Sequence, residues 1–265
     1  MSELNLIAIS VGNSRTQFGQ FVGTDLRRQQ RLENTDVPTI IQQVVQTWGQ
    51  TDDPKTLLLA AVNEVVAGQL DAALRDQLST EIYHVGDDVP IPIERKLDPE
   101  TITGVDRLLN ASAAWDRIRK ACIVVDAGTA ITVDFVDGEG VFHGGAIMPG
   151  AAMQLQMLHE QTASLPELRF EVPDKTDAFG RSTSQAMLKG VFHGIRGGIQ
   201  RLVEQYSEQY RAYPQVIATG GDAEMLFEGE ELIQNIVPDL TLRGIATAAQ
   251  HALATDEAEG LDGRD

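Results

Sequence analysis

An apolar strand pattern that stops on Asp and turns at once through Gly-Thr brings a carboxylate and backbone N–H groups together. Residues 122–129 have this form: Cys-Ile-Val-Val, then Asp126-Ala127-Gly128-Thr129. Carboxylates hold cations and paired N–H groups hold phosphate oxygens, so the chemistry offered is that of a metal–nucleotide site. A second Gly-containing turn, Gly12-Asn13-Ser14, follows the apolar run 4–11 near the start of the chain. A third group, Gly104-Val105-Asp106-Arg107, sets an acid beside a guanidinium fork suited to a carboxylate, and its glycine permits close backbone approach. Asp106 also heads a helical pattern, where an acid is stabilised by the helix dipole without any catalytic duty. Thr183 opens another helical pattern within Gly180-Arg181-Ser182-Thr183 and is equally a candidate N-cap. Neither a Walker loop nor a Gly-x-Gly-x-x-Gly turn occurs, because Gly138-Glu139-Gly140 reaches its next glycine one residue late, at Gly144. The histidines have no zinc-ligand spacing.

The elements that must position these residues repeat. Strands are expected at 4–11, 16–21 and 25–33, a helix at 37–48 capped by Asp36, a buried strand at 56–62, and a helix at 65–78. A further strand is expected at 82–85 and a helix over 108–115. From residue 121 the order of three strands, helix, strand, helix returns. It gives strands across 121–148, a helix at 151–160, a long connector over 161–181 and a long helix at 184–209. A strand at 216–219, a short helix at 223–227, a strand at 233–237 and a helix at 240–252 complete it. Element order repeats without sequence repeating. Twin α/β lobes with a nucleotide cleft between them are therefore expected, as residues 1–115 and 116–255, followed by a frayed acidic tail, 256–265. Turns at equivalent places in both halves favour a polyphosphate clamp over two ordinary hairpins.

Composition narrows the partners. A net charge of −18 at pH 7 argues against nucleic acid and anionic membrane surfaces, and leaves phosphate binding to backbone dipoles and cations. No apolar run approaches the roughly 20 residues of a membrane span, and no charged-then-apolar leader is visible. The lone Cys122 lies in an apolar strand, so it reads as a small buried hydrophobe, and a chain without possible internal disulfides fits the cytoplasm.

Taken together, several blocks resemble the type III pantothenate kinases, of the superfamily of sugar kinases, heat-shock chaperones and actin. They are Val11-Gly12-Asn13-Ser14, Gly104-Val105-Asp106-Arg107 with Asn110, Asp126-Ala127-Gly128-Thr129-Ala130, Gly144-Gly145-Ala146-Ile147 with Pro149-Gly150, Gly180-Arg181-Ser182-Thr183, and Thr219-Gly220-Gly221. The resemblance implies two ribonuclease H-like (actin-like) lobes and phosphorylation of pantothenate by ATP with Mg²⁺, the first step towards coenzyme A. It implies Asp106 as general base, and Gly104, Val105, Arg107 and Thr183 at the substrate. ATP would meet Ser10, Val11, Gly12, Asn13, Ser14, Arg15, Thr16, Gln17 and Thr129, with K⁺ or NH₄⁺ at Asp126. It also implies a homodimer paired through the second lobe, to which the apolar residues of the long helix would contribute.

Two positions depart from the family pattern. Ser10 stands where the family has an Asp that serves the hydrated Mg²⁺, and Lys96-Leu97-Asp98-Pro99 lacks the aromatic residue often found there at the substrate. Two alternatives therefore stay open: a nucleotide-binding regulatory homologue with little or no catalysis, and a kinase of another small alcohol. Asp106 and Arg107 side by side favour an enzyme, since a binding-only protein needs no base beside an anion fork.

Overall fold

A computed structural model describes residues 4–174 and 176–262. The chain forms two compact units, the first running to Glu94 and adding Asp98–Arg117 and the chain from Asp239 on, the second comprising Arg95–Leu97 and Ile118–Pro238.

In the first unit, β1 (Asn5–Val11), β2 (Arg15–Val22) and β3 (Asp25–Glu33) form an antiparallel meander. After α1 (Val37–Gly49), β4 (Lys55–Ala61) lies parallel to β1, and after α2 (Glu64–Leu78) the short β5 (Tyr83–His84) lies parallel to β4. The order is β3-β2-β1-β4-β5. β1 is apolar almost throughout because both faces of this sheet are covered. Successive side chains alternate in direction. Ile7, Ile9 and Val11 bury with Ile40, Val44, Leu70 and Leu74 of α1 and α2. Leu6 and Ala8 bury with Leu109 of α3 (Val105–Ile118) and with residues of the last helix. β3 is exposed and rich in Arg and Gln, as an edge strand that must not recruit another strand should be.

The second unit repeats the plan. β7 (Cys122–Ala127), β8 (Ala130–Val136) and β9 (Val141–Pro149) form the meander, and α4 (Ala151–Glu160) follows. The connector 161–182 has no regular element among its described residues. Then come α5 (Thr183–Tyr210), β10 (Gln215–Thr219) parallel to β7, α6 (Ala223–Phe227) and β11 (Asn235–Ile236) parallel to β10. The order β11-β10-β7-β8-β9 mirrors the first sheet strand for strand, with the two-residue β6 (Glu94–Arg95) added beside β9. Ile123, Val125 and Ala127 face Val191, Ile195 and Ile199 of α5 across the core.

Three expectations change. The last helix, α7 (Leu240–Asp262), belongs to the first unit, so the second ends at Pro238 and not at 255. Leu242, Ile245, Ala248 and Ala249 bury against Leu6, Ala8, Leu58 and Ala60, covering the sheet face that α1 and α2 leave open. The acidic stretch expected to fray is helical from 256 to Asp262, while 263–265 lie outside the described residues. The strands expected at 82–85 and 233–237 shrink to two residues each.

Candidate active site

In the first unit, Ser10 and Val11 end β1, and Gly12, Asn13 and Ser14 turn the chain into β2. The Gly12 N–H donates to the Arg15 carbonyl at 2.9 Å and closes the turn. Its carbonyls are drawn inward: the Asn34 amide donates to Gly12 O at 2.8 Å and to Asn13 O at 3.2 Å, and the Asn63 amide donates to Asn13 O at 3.2 Å. Asn13 and Ser14 are exposed. Thr16 is fully buried and its hydroxyl donates to Asn34 Oδ1 at 2.8 Å, so Thr16 braces the turn and offers no surface to a ligand. Arg15 pairs with its cross-strand neighbour Glu33 at 2.7 Å. Gln17 lies opposite Ser10 on β2.

Gly104 and the first turn of α3 lie at this same end of the unit. A side chain added at Gly104 would meet Val62 Cγ1 at 3.8 Å, and the Val62 N–H donates to the carbonyl of Val11. The added Cβ would also lie 2.6 Å from Asp106 Oδ1, so glycine is what leaves room for the carboxylate. That oxygen accepts the Arg107 N–H at 2.8 Å, tying the acid to the N-terminus of α3, where the dipole favours its charge. Asp106 is thus both a helix-terminal acid and a half-buried carboxylate at the turn end of the sheet. Asn110, buried one turn later, accepts a hydrogen bond from the Thr241 hydroxyl at 2.8 Å and locks α3 to α7.

The second unit presents the matching turn. The Gly128 N–H donates to Ala130 O at 3.0 Å, and the Thr129 carbonyl accepts the Gly150 N–H at 3.0 Å, leaving residue Thr129 exposed. Asp126, at the end of β7, stands opposite Thr132 of β8 and Thr219 of β10. Gly220 closes over it: at φ +96°, a Cβ there would lie 2.5 Å from Asp126 Oδ1 and 2.3 Å from the Ala127 carbonyl. Only glycine allows β10 to turn this close. A carboxylate with the Ala127 carbonyl near it offers hard oxygen donors, the type that alkali-type cations take. No group of three His, Cys, Asp or Glu side chains suited to a metal ion occurs among the described residues. Cys122 is buried at the far end of β7, and desolvation pushes its thiol up to about 12, so it stays an unreactive thiol.

Thr183 is also in this unit, exposed as the first residue of α5. The N-cap is Ser182, whose hydroxyl accepts the Gln185 N–H at 3.2 Å, so the capping role considered for Thr183 falls to its neighbour. The sequence-predicted residues therefore gather into two sets, Ser10–Gln17 with Gly104–Arg107 in the first unit and Asp126, Thr129 and Thr183 in the second. Asn34, Asn63 and the close approach of Gly220 escaped the sequence reading. The asparagines act across 22 and 50 residues, and no local spacing announces them.

Two mirrored sheets, each with a Gly turn after its first strand, define an actin-like α/β protein of two ribonuclease H-like lobes. Solved structures of that kind align along nearly the whole chain. They include a Baf-family protein of Campylobacter jejuni (TM-score 0.60, 22% identity, 94% of this chain and 99% of that one). The ethanolamine utilization protein EutJ of Carboxydothermus hydrogenoformans also aligns (TM-score 0.55, 13% identity, 94% and 91%). At these identities the likeness is one of fold. A family profile for type III pantothenate kinase matches residues 6–205. The type III pantothenate kinase of Rhodospirillum rubrum is 35% identical over 248 residues, spanning 91% of this chain and 96% of its own. That of Dehalococcoides mccartyi strain CBDB1 is 31% identical over 258 residues, spanning 91% and 93%. The chain belongs to the type III pantothenate kinase family.

Proposed function

We propose that this protein transfers the γ-phosphoryl group of ATP to the primary hydroxyl of pantothenate, giving 4'-phosphopantothenate and ADP on the way to coenzyme A. The observation that carries this reading is the placing of Asp106 and the Gly12–Ser14 turn at one end of the same sheet, with Gly104 left bare for the carboxylate. Phosphoryl transfer asks for alignment, charge neutralisation and a proton acceptor. As the hydroxyl oxygen bonds to the γ-phosphorus, its proton passes to Asp106 and the bond to the β–γ bridging oxygen breaks. In the first unit Arg107 is the group proposed for the pantothenate carboxylate; in the second, the Thr183 hydroxyl is the group proposed to meet pantothenate. In the first unit the exposed turn residues Asn13 and Ser14 carry the donors proposed for phosphate oxygens; in the second, Thr129 carries the donor so proposed. Ser10 would accept or donate a hydrogen bond to a water of the Mg²⁺ that accompanies ATP. Asp126 would be the residue to hold K⁺ or NH₄⁺, which would supply positive charge for the phosphates.

We also infer a homodimer in the cytoplasm. Gly190, Gly194 and Gly198 recur every fourth residue on α5 with Gly197 beside them, and at Gly190, Gly194 and Gly197 an added Cβ would meet nothing within 4 Å. Each glycine costs a helix about 1 kcal/mol relative to Ala, so a bare stripe without internal packing suits close approach by a second copy. Among the described residues no helix is long and apolar enough to cross a membrane. The deciding experiment incubates the purified protein with ATP, Mg²⁺, K⁺ and pantothenate and looks for phosphopantothenate by mass. Its absence under conditions in which a type III relative makes product would refute the proposal.

A further inference from the structure

Phe179 is 71% exposed, yet the chain that carries it is held from several sides. Its N–H donates to Asp177 Oδ1 at 2.9 Å, and the other oxygen of that carboxylate pairs with Arg181 Nε at 2.5 Å. First the Phe179 N–H and then the Arg181 guanidinium keep the Asp177 carboxyl below the usual carboxylate range, so the clasp is charged at neutral pH. Lys189, on the second turn of α5, donates its ammonium to the carbonyls of both Asp174 and Asp177. At Gly180 an added Cβ would lie 2.5 Å from both the Cα and N of Ala186, so the backbone here runs directly against the first turns of α5. The Arg181 N–H donates to Gln185 Oε1, and Ser182 caps the helix that begins at Thr183.

A single exposed aromatic ring needs no explanation on a surface. One whose backbone is fixed by charged clasps, four residues before the threonine proposed to meet substrate, is preorganised, and preorganisation is what a binding contact gains from. We infer that Phe179 is an acceptor-specificity residue: its ring packs on the aliphatic body of the substrate alcohol, and Lys189 positions it. Pantothenate has two methyl groups on the carbon next to its reacting hydroxymethyl group, an apolar surface of the kind a ring face covers. The assignment rests on the reading that Thr183 meets pantothenate.

The test compares the full-length parent with Phe179→Ala, Phe179→Leu, Lys189→Met and Lys189→Arg, each checked by thermal melting and light scattering. Phe179→Ala should raise KM for pantothenate about tenfold, the lower end of the effect of an apolar pocket contact, with kcat and the KM for ATP near the parent's. Phe179→Leu should recover most of the loss. Lys189→Met should raise the same KM, and Lys189→Arg should restore it. An unchanged pantothenate KM in Phe179→Ala overturns the inference while leaving the kinase reading intact. A shift of Phe179→Ala to monomer also overturns it, making the ring a contact between copies. A parent that does not phosphorylate pantothenate overturns the underlying reading and this one with it.

Discussion

Gly104→Ala separates a catalytic Asp106 from a merely structural one. The new methyl carbon would sit 2.6 Å from Asp106 Oδ1, and ordinary contact begins near 3.4 Å, so the carboxylate must retreat by roughly 0.8 Å. The retreat is cheap for the fold. The clashing atom is the end of a rotatable side chain, and what is lost is one hydrogen bond, to the Arg107 N–H, worth about 1 kcal/mol. In a chain of this size that lowers Tm by about 2–4 °C. A base displaced by nearly 1 Å is another matter, since misplacement on that scale costs about 100-fold in rate. Steady-state kinetics with pantothenate and ATP, read beside a melting curve and a nucleotide-binding titration, should show a large fall in kcat, a small fall in Tm and little change in ATP affinity. Asp106→Asn sets the comparison, with an expected loss of about 10²–10⁴-fold. If Gly104→Ala turns over like the parent while Asp106→Asn is crippled, the position of the carboxylate is not critical and the argument from the bare glycine is wrong. If both turn over normally, Asp106 is only a first-turn acid of its helix.

The remaining predictions are briefer. Replacing K⁺ by Na⁺ should sharply weaken ATP use; activity indifferent to the exchange removes the cation role of Asp126. Gly194→Leu should raise helix propensity by up to about 1 kcal/mol if its face meets only water, but should break the dimer if that face meets a second copy; light scattering decides. At the β8–β9 hairpin, burial alone would raise the Asp137 pKa, but hydrogen bonds from the His143 ring and the Val141 and Glu139 N–H groups outweigh it and hold the carboxyl low. A depressed folded-state pKa contributes stability above the ordinary value of 3.8 and loses it as pH falls through the lowered one. Asp137→Asn should therefore lower Tm at pH 7, with the deficit shrinking below about pH 4; a deficit constant down to pH 3 contradicts the linkage. Ser10→Asp should tighten Mg·ATP binding and speed turnover, and a variant that gains neither sinks the Mg²⁺ role given to Ser10.

Much of the architecture was legible because hydrophobic period decides it. The unbroken apolar run of β1 announced a strand covered on both sides, and α1 declared itself through Asp36, whose side chain accepts the Thr39 N–H as a cap should. What sequence could not convey was partnership at long range. The pattern at 240–252 promises a helix but does not say which sheet it covers, and only the packing of Leu242 and Ile245 on Leu6 and Ala8 returns it to the first unit. Ser182 and Thr183 are both good cap residues, and their order in the turn, not their chemistry, settles which one caps. The short edge strand β11 has too few alternations for its ends to be read from period alone.

The two lobes argue about Ser10 through their own symmetry. Aligning the turn glycines, Gly12 with Gly128, makes Ser10 the positional counterpart of Asp126: each lies two residues before the glycine near the end of its strand, and each is partly buried. The turns close with bonds of similar length but different span, Gly12 N–H to Arg15 O at 2.9 Å and Gly128 N–H to Ala130 O at 3.0 Å. What the first lobe lacks at this position is one negative charge. The Ser10 hydroxyl has no hydrogen-bond partner among the described residues. Mg²⁺ keeps several of its waters, so a residue here acts through water, and a neutral hydroxyl still accepts such a hydrogen bond. Charge-assisted bonds are about twice as strong as neutral ones, which puts the loss near 1 kcal/mol, or roughly five- to tenfold in Mg·ATP affinity. That is far less than the loss of a general base or of transition-state alignment. We therefore expect serine at this position to weaken the kinase without disarming it, and a Ser10→Asp variant with a gain far above tenfold in Mg·ATP affinity would refute that estimate.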